Sequence, residues 1–147
     1  MEESIRKAFG LAKIDLKQAS PLLLAFVGDA VFELVIRTKT AEAHRMSPRR
    51  LHDISSSYAC ASAQAKMAEL ALELLTEEEK EILRRGRNAH ASSISKSASV
   101  GEYRKATGWE SLIGYLYLDG REERAVELIM AAVNALNALK KESQQHP

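Results

Sequence analysis

Two acids stand where acids are costly. Asp29 interrupts the apolar run "LLLAFVGDAVFELVIR" (residues 22–37) directly after Gly28, and Glu110 interrupts "WESLIGYLYL" (residues 109–118) one helical turn before Gly114. A glycine inside a helix costs about 1 kcal/mol against alanine, and an unpaired buried carboxylate costs several. Both departures ask for compensation. Glycine lets a neighbouring backbone come close, so two helices crossing near Gly28 and Gly114 would bring Asp29 and Glu110 together. Two carboxylates in contact repel, and one stays protonated unless a cation lies between them. Magnesium suits such a pair, since it takes a few carboxylate oxygens and leaves its other positions to water and phosphate oxygens. Spacing alone leaves a second reading open, in which Asp29 and Glu110 are independent half-buried acids, each paired with an arginine. Glu33, one turn beyond Asp29 on the same face, is either a group that orients water at the metal or a solvated, salt-bridged acid.

Phosphate would need positive charge nearby, yet the formal net charge is only +1, so affinity must come from local clusters. One cluster is plain. From Ile82 to Gly101 there is no acid, while Arg84, Arg85, Arg87 and Lys96 are basic and Arg104 and Lys105 follow. Asn88, His90 and several serines add hydrogen-bonding groups suited to the wide minor groove of duplex RNA, where 2′-hydroxyls are displayed. Residues 84–105 therefore read as an RNA-contacting segment, with a solvated helix end and loop as the alternative. In a second group, Arg45, Arg49 and Arg50, the last two fall in a helix's first turn, where the macrodipole disfavours cations, which is weaker evidence for an anionic partner.

Other chemistries find no support. His44, His52, His90 and His146 show no ligand spacing with one another or with Cys60, so no zinc site is expected. The serines at 55–57 have no positioned histidine, and the seven glycines form no phosphate-binding loop. Tyr103, Tyr115 and Tyr117 fall at helical spacing as core or core-edge residues, with RNA contact as the alternative for Tyr103 beside Arg104. A lone cysteine forms no intrachain disulfide, the N-terminus carries acids and no signal-peptide run, and the most apolar stretch is broken by Asp29, Glu33 and Arg37. A soluble cytoplasmic protein, with no membrane partner, is expected.

The elements that must position these residues are helices. With 147 residues and 46% hydrophobic content the chain supports one core, and one domain over 1–147 is expected. Ser20-Pro21 and Ser47-Pro48 each set a capping hydroxyl before a proline at the first helical position. One helix should run from Pro21 to Lys39. The next should start at Pro48, pass the serines near Ser55 and continue through "ACASAQAKMAELALELL" to Leu75. Thr76 and Glu79 form a capping box for "EEEKEILRRG", which Gly86 should stop. After the polar stretch "NAHASSISKSASV", helix resumes through "EYRKATGWESLIGYLYLD" to a turn at Asp119-Gly120. The last helix, "REERAVELIMAAVNALNALKK", should fray after Lys141, leaving 142–147 as a tail. The fold class is all-α, with about six to seven helices. "LLLAFVGDAVFELV" is apolar nearly all round, and one small domain hides only one side of such a helix, so a partner surface is expected.

These residues resemble a known family. "LAFVGDAVFELVIR" is similar to the signature helix of the ribonuclease III endonuclease domain, and "WESLIGYLYLD" to that domain's second acidic helix. The ordered set of Gly28-Asp29-Ala30, "RRGRN" at 84–88, "EYRKAT" at 102–107 and "ESLIGYLYL" most resembles Mini-ribonuclease III, the short bacterial branch without a double-stranded-RNA-binding domain. The likeness runs from Pro21 to about Val133. It implies a ribonuclease III-type helical domain, with Asp29 and Glu110 as the catalytic, magnesium-binding acids. It also implies a homodimer with the signature helices packed across a two-fold axis, acting on double-stranded RNA and leaving 5′-phosphate and 3′-hydroxyl ends. The substrate implied is the precursor of large-subunit (23S) ribosomal RNA. Longer ribonuclease III enzymes carry further acids at the positions of Ala25 and Thr107, as the short branch does not. Two other classes remain: a non-catalytic RNA-binding protein of the same fold, and a helical protein-binding adaptor. Retention of both acids speaks against the first, and the acid-free basic stretch against the second.

Overall fold

The cap signals form as the sequence predicts. The Ser20 and Ser47 hydroxyls accept from the backbone N–H groups of Leu23 (3.1 Å) and Arg50 (3.3 Å), with Pro21 and Pro48 at the first helical positions. The computed structural model describes residues 1–43, 45–89 and 99–145, and among these there is no strand. The seven α-helices are α1 (Glu2–Phe9), α2 (Pro21–Thr40), α3 (Pro48–Ala59), α4 (Ala61–Ala71), α5 (Glu77–Arg87), α6 (Val100–Leu118) and α7 (Glu122–Gln145), with 3-10 turns at Ala41–Ala43 and Leu72–Leu74. The all-α expectation holds.

α6 is the axis of the domain, because Ala106 to Trp109 and Ser111 to Gly114, which between them face every side of the helix, are all buried. α2, α4, α5 and α7 pack around it. Each large apolar side chain so buried contributes about 1.5–3 kcal/mol. The expected capping box opens α5: Thr76 N–H donates to Glu79 Oε2 (3.0 Å) and Glu79 N–H to Thr76 Oγ1 (3.2 Å). Glu79 is buried, and Arg124 of α7 donates to it through Nε at 2.9 Å, holding its carboxyl below the ordinary range. One residue thus caps α5 and ties it to α7. Gly120, at φ 78°, makes the turn expected after Asp119.

Four features differ from the sequence-based expectation. The helix expected from Pro48 to Leu75 breaks at Cys60, whose backbone is extended (φ −67°, ψ 153°) and caps both α3 and α4. Ser55 and Ser57 spend their hydroxyls on the carbonyls of His52 and Ile54 (3.0 and 2.6 Å), which weakens the helix there. The break lets α3 stay on α2 while α4 turns onto α6. Gly86 does not stop α5, which runs to Arg87. A Cβ on Gly86 would lie 2.5 Å from Ser111 Oγ, so this glycine serves helix contact instead. α7 continues past Lys141 to Gln145, since nothing in "KESQQ" ends a helix. α1 was not foreseen, and none of its residues is buried.

Candidate active site

The crossing of α2 and α6 is as close as backbones allow. A Cβ on Gly28 would overlap the Glu110 carbonyl, and one on Gly114 would overlap the Leu24 carbonyl. No other residue fits either place. This contact sets Asp29, one residue after Gly28, beside Glu110, one turn before Gly114.

Both carboxylates open on one groove of about 600 Å³, lined also by Ala25, Phe26, Tyr103 and Thr107. Asp29 is exposed at its rim and Glu110 is half-buried. Burial first, and then the charge of Asp29, push the Glu110 carboxyl up to about 7. Burial and the charge of Glu33 raise Asp29. Among the described residues no arginine or lysine acts on either acid, which speaks against two independent arginine pairs. Glu33 lies 3.5 Å from Arg37 and does not line the groove, which is the salt-bridged alternative. Ala25 and Thr107, where longer enzymes carry acids by resemblance, both face the groove.

One partner of Glu110 was missed by sequence reasoning. Gln64 of α4, buried, donates through Nε2 to Glu110 Oε1 at 3.1 Å. The only sequence signal was a polar residue on the apolar side of an amphipathic helix.

A divalent cation fits this pair. The donors are hard carboxylate oxygens on two rigid helices, and their mutual repulsion is what a cation relieves. Among the described residues no cluster of three or more His, Cys, Asp or Glu gathers. Asp29 and Glu110 would give such a cation two carboxylates, its other positions going to water and phosphate oxygens.

The basic segment divides. Arg84 donates to Glu81 from Nε and Nη2 (2.9 and 2.6 Å), an exposed pair of little energetic worth. Lys105 donates to Glu69 at 2.5 Å. Arg85, Arg87, Asn88 and Arg104 are exposed, and among the described residues none of the three arginines has an ion pair. Gly108 of α6 abuts α5 at Leu83 and Arg87, so the helix that carries Glu110 also carries the basic end of α5. Lys96, His44, His90 and His146 lie outside the described residues. Arg49 and Arg50 are exposed in the first turn of α3, and Arg45 is exposed before it.

The groove's outer wall is apolar. Leu22, Phe26, Ala30 and Leu34 follow one another at four-residue spacing on α2, and Phe26 is 80% exposed. Among the described residues no helix is long and apolar enough to cross a membrane.

Comparison with known proteins agrees with this architecture. The Ribonuclease III domain family matches residues 22–121. Mini-ribonuclease 3 of Enterococcus faecalis is 47% identical over 117 residues, covering 78% of this chain and 89% of that protein. Mini-ribonuclease 3 of a Thermoanaerobacter species is 43% identical over 126 residues, covering 86% and 89%. A crystal structure of a Fusobacterium nucleatum protein superposes with a TM-score of 0.74 at 31% identity, covering 82% of this chain and 96% of that one.

Proposed function

We propose that this chain, which belongs to the Mini-ribonuclease III family and so is a ribonuclease III-type endoribonuclease of double-stranded RNA, cuts with Asp29 and Glu110 as its metal-holding acids and magnesium as its metal. Ribonuclease III enzymes are in general dependent on a divalent metal. The observation that carries the assignment is the Gly28–Gly114 contact, which holds over one groove two carboxylates that have no ion pair among the described residues. When bound, magnesium supplies the positive charge and water activation that phosphodiester hydrolysis needs.

The chain's own residues do the positioning. Asp29 and Glu110 present oxygens from two helices that cannot slide past each other, so little reorganisation is needed when charge develops at the scissile phosphate. Arg85, Arg87 and Arg104, with Arg84, Lys105, Asn88 and Lys96 in the same segment, bind the RNA backbone and its 2′-hydroxyls. Products carry 5′-phosphate and 3′-hydroxyl ends.

The active form is a homodimer. The α2 row of Leu22, Phe26, Ala30 and Leu34 is too apolar to face water, and a second copy covers it around a two-fold axis. Two grooves then address one duplex, each cutting one strand. The substrate is the precursor of 23S ribosomal RNA in the cytoplasm, a role carried by family likeness. Incubation of the protein with duplex and single-stranded RNA, with and without magnesium, tests the reading: magnesium-dependent cutting of the duplex supports it, and cutting unaffected by chelator refutes it.

A further inference from the structure

Gln64 is 1% exposed on α4, in a position that a hydrocarbon side chain would fill without any desolvation cost. Its Nε2 donates twice, to the Ala59 carbonyl at 2.9 Å and to Glu110 Oε1 at 3.1 Å. Both neighbours are acceptors, so the amide must present its NH2 to them; the flipped orientation would set oxygen against two oxygens. Gln64 Oε1 has no hydrogen-bond partner among the described residues. The amide is therefore held from its donor side alone, and packing does not account for it.

The two acceptors belong to different parts of the fold. Ala59 ends α3, and its carbonyl is left without an intrahelical donor because the backbone turns extended at Cys60. Glu110 is the acid of α6. The break at Cys60 thus frees the carbonyl that steadies Gln64, and Gln64 in turn grips one oxygen of Glu110. Its second carboxylate oxygen, Oε2, accepts no hydrogen bond among the described residues.

We propose that Gln64 is a positioning residue for RNA cleavage: by donating to Oε1 it fixes the Glu110 carboxylate and leaves Oε2 as the oxygen that ligates the divalent cation. This rests on the assignment of Glu110 as a metal-holding acid. Outer partners of this kind orient a ligand, and their removal commonly costs roughly 10–100-fold in metal affinity or activity.

The test uses Gln64→Met, which keeps the volume and removes both donors. Magnesium binding to the RNA-free protein is followed by calorimetry, and kcat and KM by cleavage of a duplex. Metal affinity and kcat should each fall roughly 10–100-fold with KM unchanged. In a Glu110→Gln background the same substitution should lower metal affinity no further. Gln64→Asn keeps the amide but is one methylene short of Glu110; it should show the same losses, and it replaces the methionine variant if that one does not fold. A variant that melts earlier yet binds magnesium and cuts like wild type overturns the positioning role. Glu110→Gln separates the two claims: if it cuts at the wild-type rate the metal-site assignment falls, whereas if it is inactive and Gln64→Met is fully active, only the role of Gln64 falls.

Discussion

Gly28 and Gly114 meet backbone to backbone: a Cβ on Gly28 would lie 2.7 Å from Gly114 N, and one on Gly114 would lie 2.9 Å from Gly28 N. The contact fixes the register of α2 against α6, and with it the placing of Asp29 beside Glu110. Gly28→Ala or Gly114→Ala must push the helices apart, because the obstruction is backbone and cannot rotate away. Each should cost about 3 kcal/mol or more and lower the melting temperature by about 2–4 °C per kcal/mol, with cleavage reduced as well. Melting and cleavage both at wild-type level would show that the helices do not cross this closely.

The two acids of the candidate site stand out in the sequence because each breaks a strong local pattern. An acid and a glycine in an otherwise apolar helix need an explanation, and the explanation is the same on both helices. Gln64 left no such mark, since its importance depends on a break at Cys60 that serine side chains and tertiary packing produce together. Gly86 was misread for a related reason: a glycine after two arginines looks locally like a helix end, and only Ser111, on another helix, shows that it is a contact. The ion pair between Lys105 and Glu69 joins residues far apart in sequence, where no periodicity could reveal it. Phe26 read as one apolar residue among many, and the structure shows it on the outer face.

The proposed dimer can be tested without disturbing the core, because Phe26 is 80% exposed in the single chain. Phe26→Asp would instead bury a charge between two apolar helices in the assembled form, at a cost of several kcal/mol. Sedimentation should find wild type as a dimer at micromolar concentration and the variant as a folded monomer. A folded wild-type monomer under those conditions would remove the two-groove arrangement.

Proton linkage should mark Glu110 in the metal-free protein. Its carboxyl is raised from 4.5 to about 7, so the folded state holds this proton more tightly than the unfolded chain. The stabilisation is complete below about pH 4.5 and is lost as pH rises to about 7. The melting temperature in chelator should therefore fall less steeply across that window for Glu110→Gln than for wild type. Magnesium affinity of wild type should rise over the same window, as the cation displaces the proton. Identical melting profiles for the two proteins would mean that Glu110 is ionised throughout.

RNA affinity should depend on the unpaired arginines at the end of α5. Arg85→Ala with Arg87→Ala should flatten the slope of log affinity against log salt by about one to two units. KM should rise while kcat stays nearly constant if, as proposed, these groups bind the backbone without touching the reacting atoms. An unchanged salt slope would move the RNA elsewhere, with Arg45, Arg49 and Arg50 as the next surface to examine.

The central claim is that Asp29 and Glu110 together hold the metal that cuts the RNA, and single-turnover cleavage of a duplex by Asp29→Asn and Glu110→Gln measures it most directly. Each variant should fold, melt no earlier than wild type once the repulsion between the acids is gone, and bind the duplex with little change. Each should cut at least about a thousandfold more slowly in saturating magnesium, the equivalent of roughly 4 kcal/mol of lost transition-state stabilisation. Either variant cutting at the wild-type rate would contradict the account.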